Sequence, residues 1–132
     1  MKTKRLFLFC LISFVLTAML SCMRDKYYTI PLSSNEVVFS NAGGSTTVKC
    51  LDGNPFASAT IVGRGEYQQK MDEDWYYESC DWLTIKYSRK NSTELEIIVE
   101  NNTTGKERTA DVEMTRPGYN YGSARIKVIQ TK

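Results

Sequence analysis

The run Glu94-Leu95-Glu96-Ile97-Ile98-Val99-Glu100, then Asn101-Asn102-Thr103-Thr104-Gly105, then Thr109-Ala110-Asp111-Val112-Glu113-Met114, decides the fold class. Leu95, Ile97 and Val99, and again Ala110, Val112 and Met114, return at every second position with polar or acidic neighbours between them. A period of two sends alternate side chains to opposite faces of an extended chain, so one face is buried and the other wet. An amphipathic helix would need apolar residues three and four apart, and no long window of this chain has them. The Asn-Thr-Gly stretch between the runs is turn chemistry, with Asn101 and Asn102 expected to accept the left-handed region.

Working outward, the same pattern repeats. Downstream, Pro117-Gly118 breaks the chain, and Ala124, Ile126 and Val128 alternate with Arg125 and Lys127. Upstream, Trp75 to Ser79 and Trp82 to Tyr87 read as a strand region kinked near Cys80-Asp81. Val37 and Phe39, the turn Asn41-Ala42-Gly43-Gly44, and Thr46, Val48 and Cys50 form the first pair. Asp52 to Asp74 reads as an inserted hairpin: Phe56 to Val62 out, Gly63-Arg64-Gly65 as the turn, Glu66 to Met71 back. About seven short strands with regular turns in roughly 100 residues predict an all-β fold, an immunoglobulin-like antiparallel two-sheet β-sandwich. Trp82 is expected to fill the space between the sheets.

The amino terminus follows another logic. Lys2, Lys4 and Arg5 precede an apolar run, Leu6 to Leu20, too short for a stable membrane span and arranged like a secretory signal. It ends in Met19-Leu20-Ser21-Cys22. This resembles the bacterial lipobox, although Met19 stands where Leu is usual. The resemblance implies cleavage after Ser21 and acylation of Cys22, whose two or three chains would anchor the protein in membrane lipid. The expected organisation is a signal peptide over 1–21, a lipidated terminus and tether over 22–29, and a sandwich over 30–132. Outer-membrane attachment is expected, with the exposed leaflet left open by the mixed charges of Met23-Arg24-Asp25-Lys26.

Composition excludes several functions. Removing residues 1–21 leaves 14 Lys and Arg against 15 Asp and Glu, a formal charge of −1 and no basis for nucleic-acid binding. The chain has no histidine, which removes a Ser-His-Asp triad, a Cys-His pair and His-ligated zinc. Asp72-Glu73-Asp74 lacks the spacing of a calcium loop and reads as a solvated acidic turn. Glu94 and Glu96 read as a solubilising strand face. No enzyme activity, cofactor or metal is expected.

Four blocks carry a resemblance: Val38-Phe39-Ser40-Asn41-Ala42-Gly43-Gly44-Ser45; Trp75 through Cys80-Asp81-Trp82 to Ile85; Thr104-Gly105-Lys106-Glu107-Arg108-Thr109-Ala110 after the asparagines; and Val128-Ile129-Gln130. In this order, over about Ile30 to Thr131, the chain resembles the BACON domain, a β-sandwich module of Bacteroidetes lipoproteins and glycan-degrading proteins. The resemblance implies a binding or accessory module, with glycan or mucin as the ligand class. The alternative is a structural or protein-interaction subunit of an envelope complex. Arg108 and Gln130 are expected to satisfy backbone groups at strand ends.

Aromatic residues are the ligand candidates, because rigid amphipathic rings stack on sugars and also anchor protein contacts. They are Tyr67 and Trp75 around the inserted segment, and Tyr119 and Tyr121 flanking Asn120 in the last loop. One of the neighbours Tyr76 and Tyr77 must point inward. Cys50 and Cys80 either form a disulfide or stay as free thiols.

Overall fold

A computed structural model describes residues 28–63, 66–118 and 121–132. The expected signal segment, Cys22, Tyr119 and Asn120 lie outside the described residues. Ten strands run through the described chain: β1 (Tyr28–Thr29), β2 (Glu36–Phe39), β3 (Gly44–Lys49), β4 (Ser58–Val62), β5 (Gln68–Met71), β6 (Trp75–Ser79), β7 (Leu83–Ser88), β8 (Glu94–Val99), β9 (Arg108–Arg116) and β10 (Gly122–Gln130). One sheet runs β1-β10-β9-β4 with β2 also on β10, and the other runs β3-β8-β7-β6-β5. The result is the expected two-sheet β-sandwich. Its pairing is antiparallel except at β1 and β2, which both lie parallel to β10.

The alternation read from the sequence is the alternation of burial. Leu95 and Ile97 on β8, Val112 and Met114 on β9, and Ile126 and Val128 on β10 are fully enclosed. Each contributes roughly 1.5–3 kcal/mol by leaving water. The stretch that decides the fold class also links the sheets, since β8 and β9 belong to different ones.

Two glycines permit close approaches. Gly43 has φ of +77°, and a Cβ there would sit 2.3 Å from the Val99 carbonyl oxygen. Gly122 admits the backbone of β1, whose Tyr28 oxygen would lie 2.6 Å from an added Cβ.

Three expectations are corrected, and one open alternative is decided. β4 and β5 exist where the inserted hairpin is expected, but they do not pair: β4 joins β9 and β5 joins β6, so the segment crosses from one sheet to the other. Asn101 and Asn102 do not use the left-handed region, since no described non-glycine residue has positive φ. Gly105 takes that conformation (φ 67°). Asn102 is instead buried, donating to the carbonyls of Lys106 (2.7 Å) and Thr131 (3.0 Å) and accepting from Thr104.

Cys50 and Cys80 are free thiols. Cys50 follows β3 beside the start of β8, whereas Cys80 follows β6, where Ser79 pairs with Thr84 near the far end of β8. The length of a strand separates them, beyond disulfide reach. Burial pushes the Cys50 thiol up, keeping it protonated and inert.

Trp82 is the third correction. It is only partly buried, packed against the edge of the core with the Arg108 guanidinium 5.0 Å from its ring centre. Trp82→Ala is therefore expected to cost about 2 kcal/mol, below the usual 3–5 for a core tryptophan. A urea titration checks this, and a loss of 4 kcal/mol or more would restore Trp82 to the core.

Candidate functional site

β6 sorts its residues by parity. Tyr76 and Glu78 point between the sheets, while Trp75 and Tyr77 point outward. Tyr76 lies beside Tyr87 (ring centres 4.9 Å apart), and Tyr87 meets Phe56 edge-on at 5.0 Å. On the outer face Trp75 is 38% exposed, and Lys86 from β7 sets its ammonium 4.2 Å from the indole centre and 5.7 Å from the Tyr77 ring. Cation–π attraction of this kind orders both partners. Lys86 also lies 3.7 Å from Glu96 on β8. The outer face of the β3-β8-β7-β6-β5 sheet thus carries two aromatic rings, an ammonium and a carboxylate on three adjacent strands.

The turn before β6 holds this face in place. The Asp72 carboxylate accepts from the backbone N–H of Asp74 (3.0 Å) and Trp75 (2.7 Å), and those bonds hold it below the usual carboxylate range. Arg89 donates to the Asp72 carbonyl at 2.6 Å, and Lys90 pairs with Asp74. The acidic run is thus engaged in a hairpin turn, and no group of metal-ligating side chains occurs among the described residues.

Beneath the turn is an open hollow of about 220 Å³, lined by Met71, Tyr76, Tyr87, Ser88, Arg89 and Ser92 among others. Pockets that enclose a small molecule hold roughly 300–1,000 Å³, so this one is a shelf rather than a cleft.

Glu78 is the residue that sequence reading misses. It is 1% exposed and reaches across to the opposite sheet. One oxygen accepts from the Ile61 N–H (2.6 Å) and the Thr60 hydroxyl (2.8 Å) on β4. The other accepts from the Gln69 amide (2.9 Å) on β5 and the Tyr76 hydroxyl (3.1 Å). Burial, with Glu78 beside the hydroxyl, pushes Tyr76 up to about 12, so it remains a donor. With four donors on its two oxygens this carboxylate is occupied as a clamp and unsuited to proton transfer. Its signal in the sequence is parity alone, two residues from an inward Tyr76.

The remaining candidates scatter. Tyr67 is 37% exposed at the other end of the β5–β6 pair, with its hydroxyl donating to the Gly63 carbonyl. Tyr121 is 44% exposed at the same end of the sandwich as Trp75, but it immediately precedes β10 in the other sheet. The loop between β9 and β10 stands on Arg116, which is buried and forks onto Asp52 (2.8 and 3.2 Å) while donating to the carbonyls of Asn54 (2.8 Å) and Pro55 (2.9 Å). Those bonds hold the Asp52 carboxyl low.

Comparison with curated proteins gives no match, and comparison with solved structures gives none either. One family model matches residues 69–131, from within β5 to just past β10. Three of the four sequence blocks fall inside that match, and the Val38–Ser45 block falls outside it. The family, BACON, is described as "Putative binding domain, N-terminal", and residues 69–131, just under half of the chain, are similar to it.

Proposed function

We propose that this protein is a lipid-anchored, non-enzymatic binding module of the cell envelope, held in the outer membrane through Cys22, and that its ligand is a glycan bound on the outer face of β6 and β7. The observation that carries the reading is the ordered pair of outward rings, Trp75 and Tyr77, with Lys86 between them. Flat aromatic surface meets the C–H faces of sugar rings, while Lys86 and Glu96 offer a donor and an acceptor to hydroxyls. Glu94 and Glu96 already engage Lys49 and Lys86, and Glu78 is saturated, so none of these three carboxylates is poised for hydrolysis.

The test is a glycan array probed with residues 23–132, which include every described strand. Trp75→Ala and Tyr77→Ala are each expected to weaken binding about tenfold, or about 1.4 kcal/mol, without shifting the melting temperature, because both rings lie outside the core. If no glycan binds and an envelope protein is captured through the same residues, the module is a protein-interaction subunit.

A further inference from the structure

We infer that the end of the sandwich bearing Tyr28, Leu51 and Tyr121 rests on the lipid surface, so that the strands stand along the membrane normal and the β6–β7 face remains free. This rests on the anchor at Cys22 proposed above.

The first observation is where the chain enters. β1 pairs Tyr28 with Gly122, the first residue of β10, so the preceding segment arrives at this end. Six residues take the chain from Cys22 to Tyr28, a reach of about 20 Å at most. β10 has nine residues and spans about 30 Å. The tether is therefore shorter than the domain, and the entry end stays next to the bilayer however the domain tilts.

The second observation is what that end displays. Tyr28 is 54% exposed, Leu51 67% and Tyr121 44%. Tyr28 and Tyr121 adjoin, the Tyr28 N–H donating to the Tyr121 carbonyl (3.2 Å), and Leu51 lies beside the continuation of β1, its N–H donating to the Pro31 carbonyl (2.8 Å). Met71 and Trp75 lie at the same end of the second sheet, 61% and 38% exposed. The opposite end exposes Asn41, Asp81, Asn101, Thr103, Thr104, Lys106 and Glu107, with Tyr67 at the tip and Val38 and Val62 on the strands towards it; the entry end also exposes the charged turn residues Asp72, Glu73, Asp74 and Lys90, so its apolar part is the Tyr28–Leu51–Tyr121 side. Tyrosine lowers its free energy at the headgroup boundary, where its apolar body and polar tip are both satisfied, and leucine lowers its own by leaving water. A tether alone permits many tilts, and this rim selects the upright one.

The chain's two tryptophans form a ruler. Trp75 pairs with Ser88, and Trp82 lies six residues before Ser88 on the neighbouring strand, roughly 20 Å further from the rim. The processed, acylated protein is reconstituted in phosphatidylethanolamine–phosphatidylglycerol vesicles containing dansyl-headgroup lipid. Tryptophan-to-dansyl energy transfer is measured for wild type, Trp75→Phe and Trp82→Phe. With that separation, transfer from Trp75 is expected to exceed transfer from Trp82 by about threefold or more. Should Trp82→Phe unfold, the difference between wild type and Trp75→Phe gives the Trp75 value. Combined Tyr28→Ser, Leu51→Ser and Tyr121→Ser replacements should bring the two tryptophans close to equality. Equal transfer in the acylated wild type overturns the orientation, and a contrast untouched by the triple replacement overturns the role of the rim. A mature chain whose mass shows no acyl group overturns the anchor itself.

Discussion

Replacing Glu78 with alanine is expected to lower the free energy of unfolding by about 3–5 kcal/mol, a large part of what holds a domain of this size together. The loss is the sum of stranded donors. Thr60 and Gln69 are exposed and can turn to water, but the Ile61 N–H and the half-buried Tyr76 hydroxyl lose their acceptor. Glu78→Gln keeps the volume and one oxygen while setting an amide N–H₂ against donors, so about 2 kcal/mol is expected. Urea denaturation followed by tryptophan fluorescence checks both. If the alanine variant unfolds at the wild-type midpoint, the clamp between β4 and β6 contributes nothing and the sheets are held by apolar packing alone.

The second large effect is expected at Gln130, which is fully buried at the end of β10. Its amide nitrogen faces the carbonyls of Glu100 (2.7 Å), Ser40 (3.1 Å) and Asn41 (3.4 Å). Its oxygen accepts from Arg108 at 2.6 and 3.1 Å. Gln130→Leu fits the space but leaves those carbonyls and the inner side of the guanidinium without partners. A cost of about 2–4 kcal/mol is expected, and because Arg108 also lies over Trp82, the indole fluorescence should shift in the folded state. A stable variant with unaltered Trp82 emission would mean that the bonds at this end are replaceable by water.

These two residues mark where the sequence was legible and where it was not. Alternation located Leu95, Ile97, Val112, Met114, Ile126 and Val128 as inward, because apolar residues at period two have one way to leave water. The expected role of Arg108 and Gln130 at strand ends matches their bonds. Alternation names a face, however, and does not name a partner strand. β4 and β5 have the spacing of a hairpin, yet Ala59 and Ile61 are buried beneath one sheet while β5 lies at the edge of the other. Glu78 escaped for the converse reason: a charge on a strand reads as outward unless its four donors, from three strands, are already known. Of the ligand candidates, Trp75 was legible as a ring beside a turn. Tyr77 and Lys86 gained meaning only through the β6–β7 register, which places them opposite each other.

The parallel pairing of β1 and β2 with β10 also fixes how the domain bears load. Tension drawn outward through the segment before Tyr28 acts along the strand axis. Beside the β1 and β2 ladders, further bonds tie the N-terminal part to β10 and its flanks: the Tyr28, Ile30, Lys127 and Thr131 N–H groups donate to the carbonyls of Tyr121, Ser123, Asn35 and Phe39, at 3.0 Å or a little more except for Lys127 at 2.9 Å. Hydrogen bonds in such a ladder lie across the strands, so this tension shears them together instead of peeling them off one after another. The seam nearest the point of pull is loaded in its most resistant direction, and the β5–β6 margin, across the second sheet, is spared the strain.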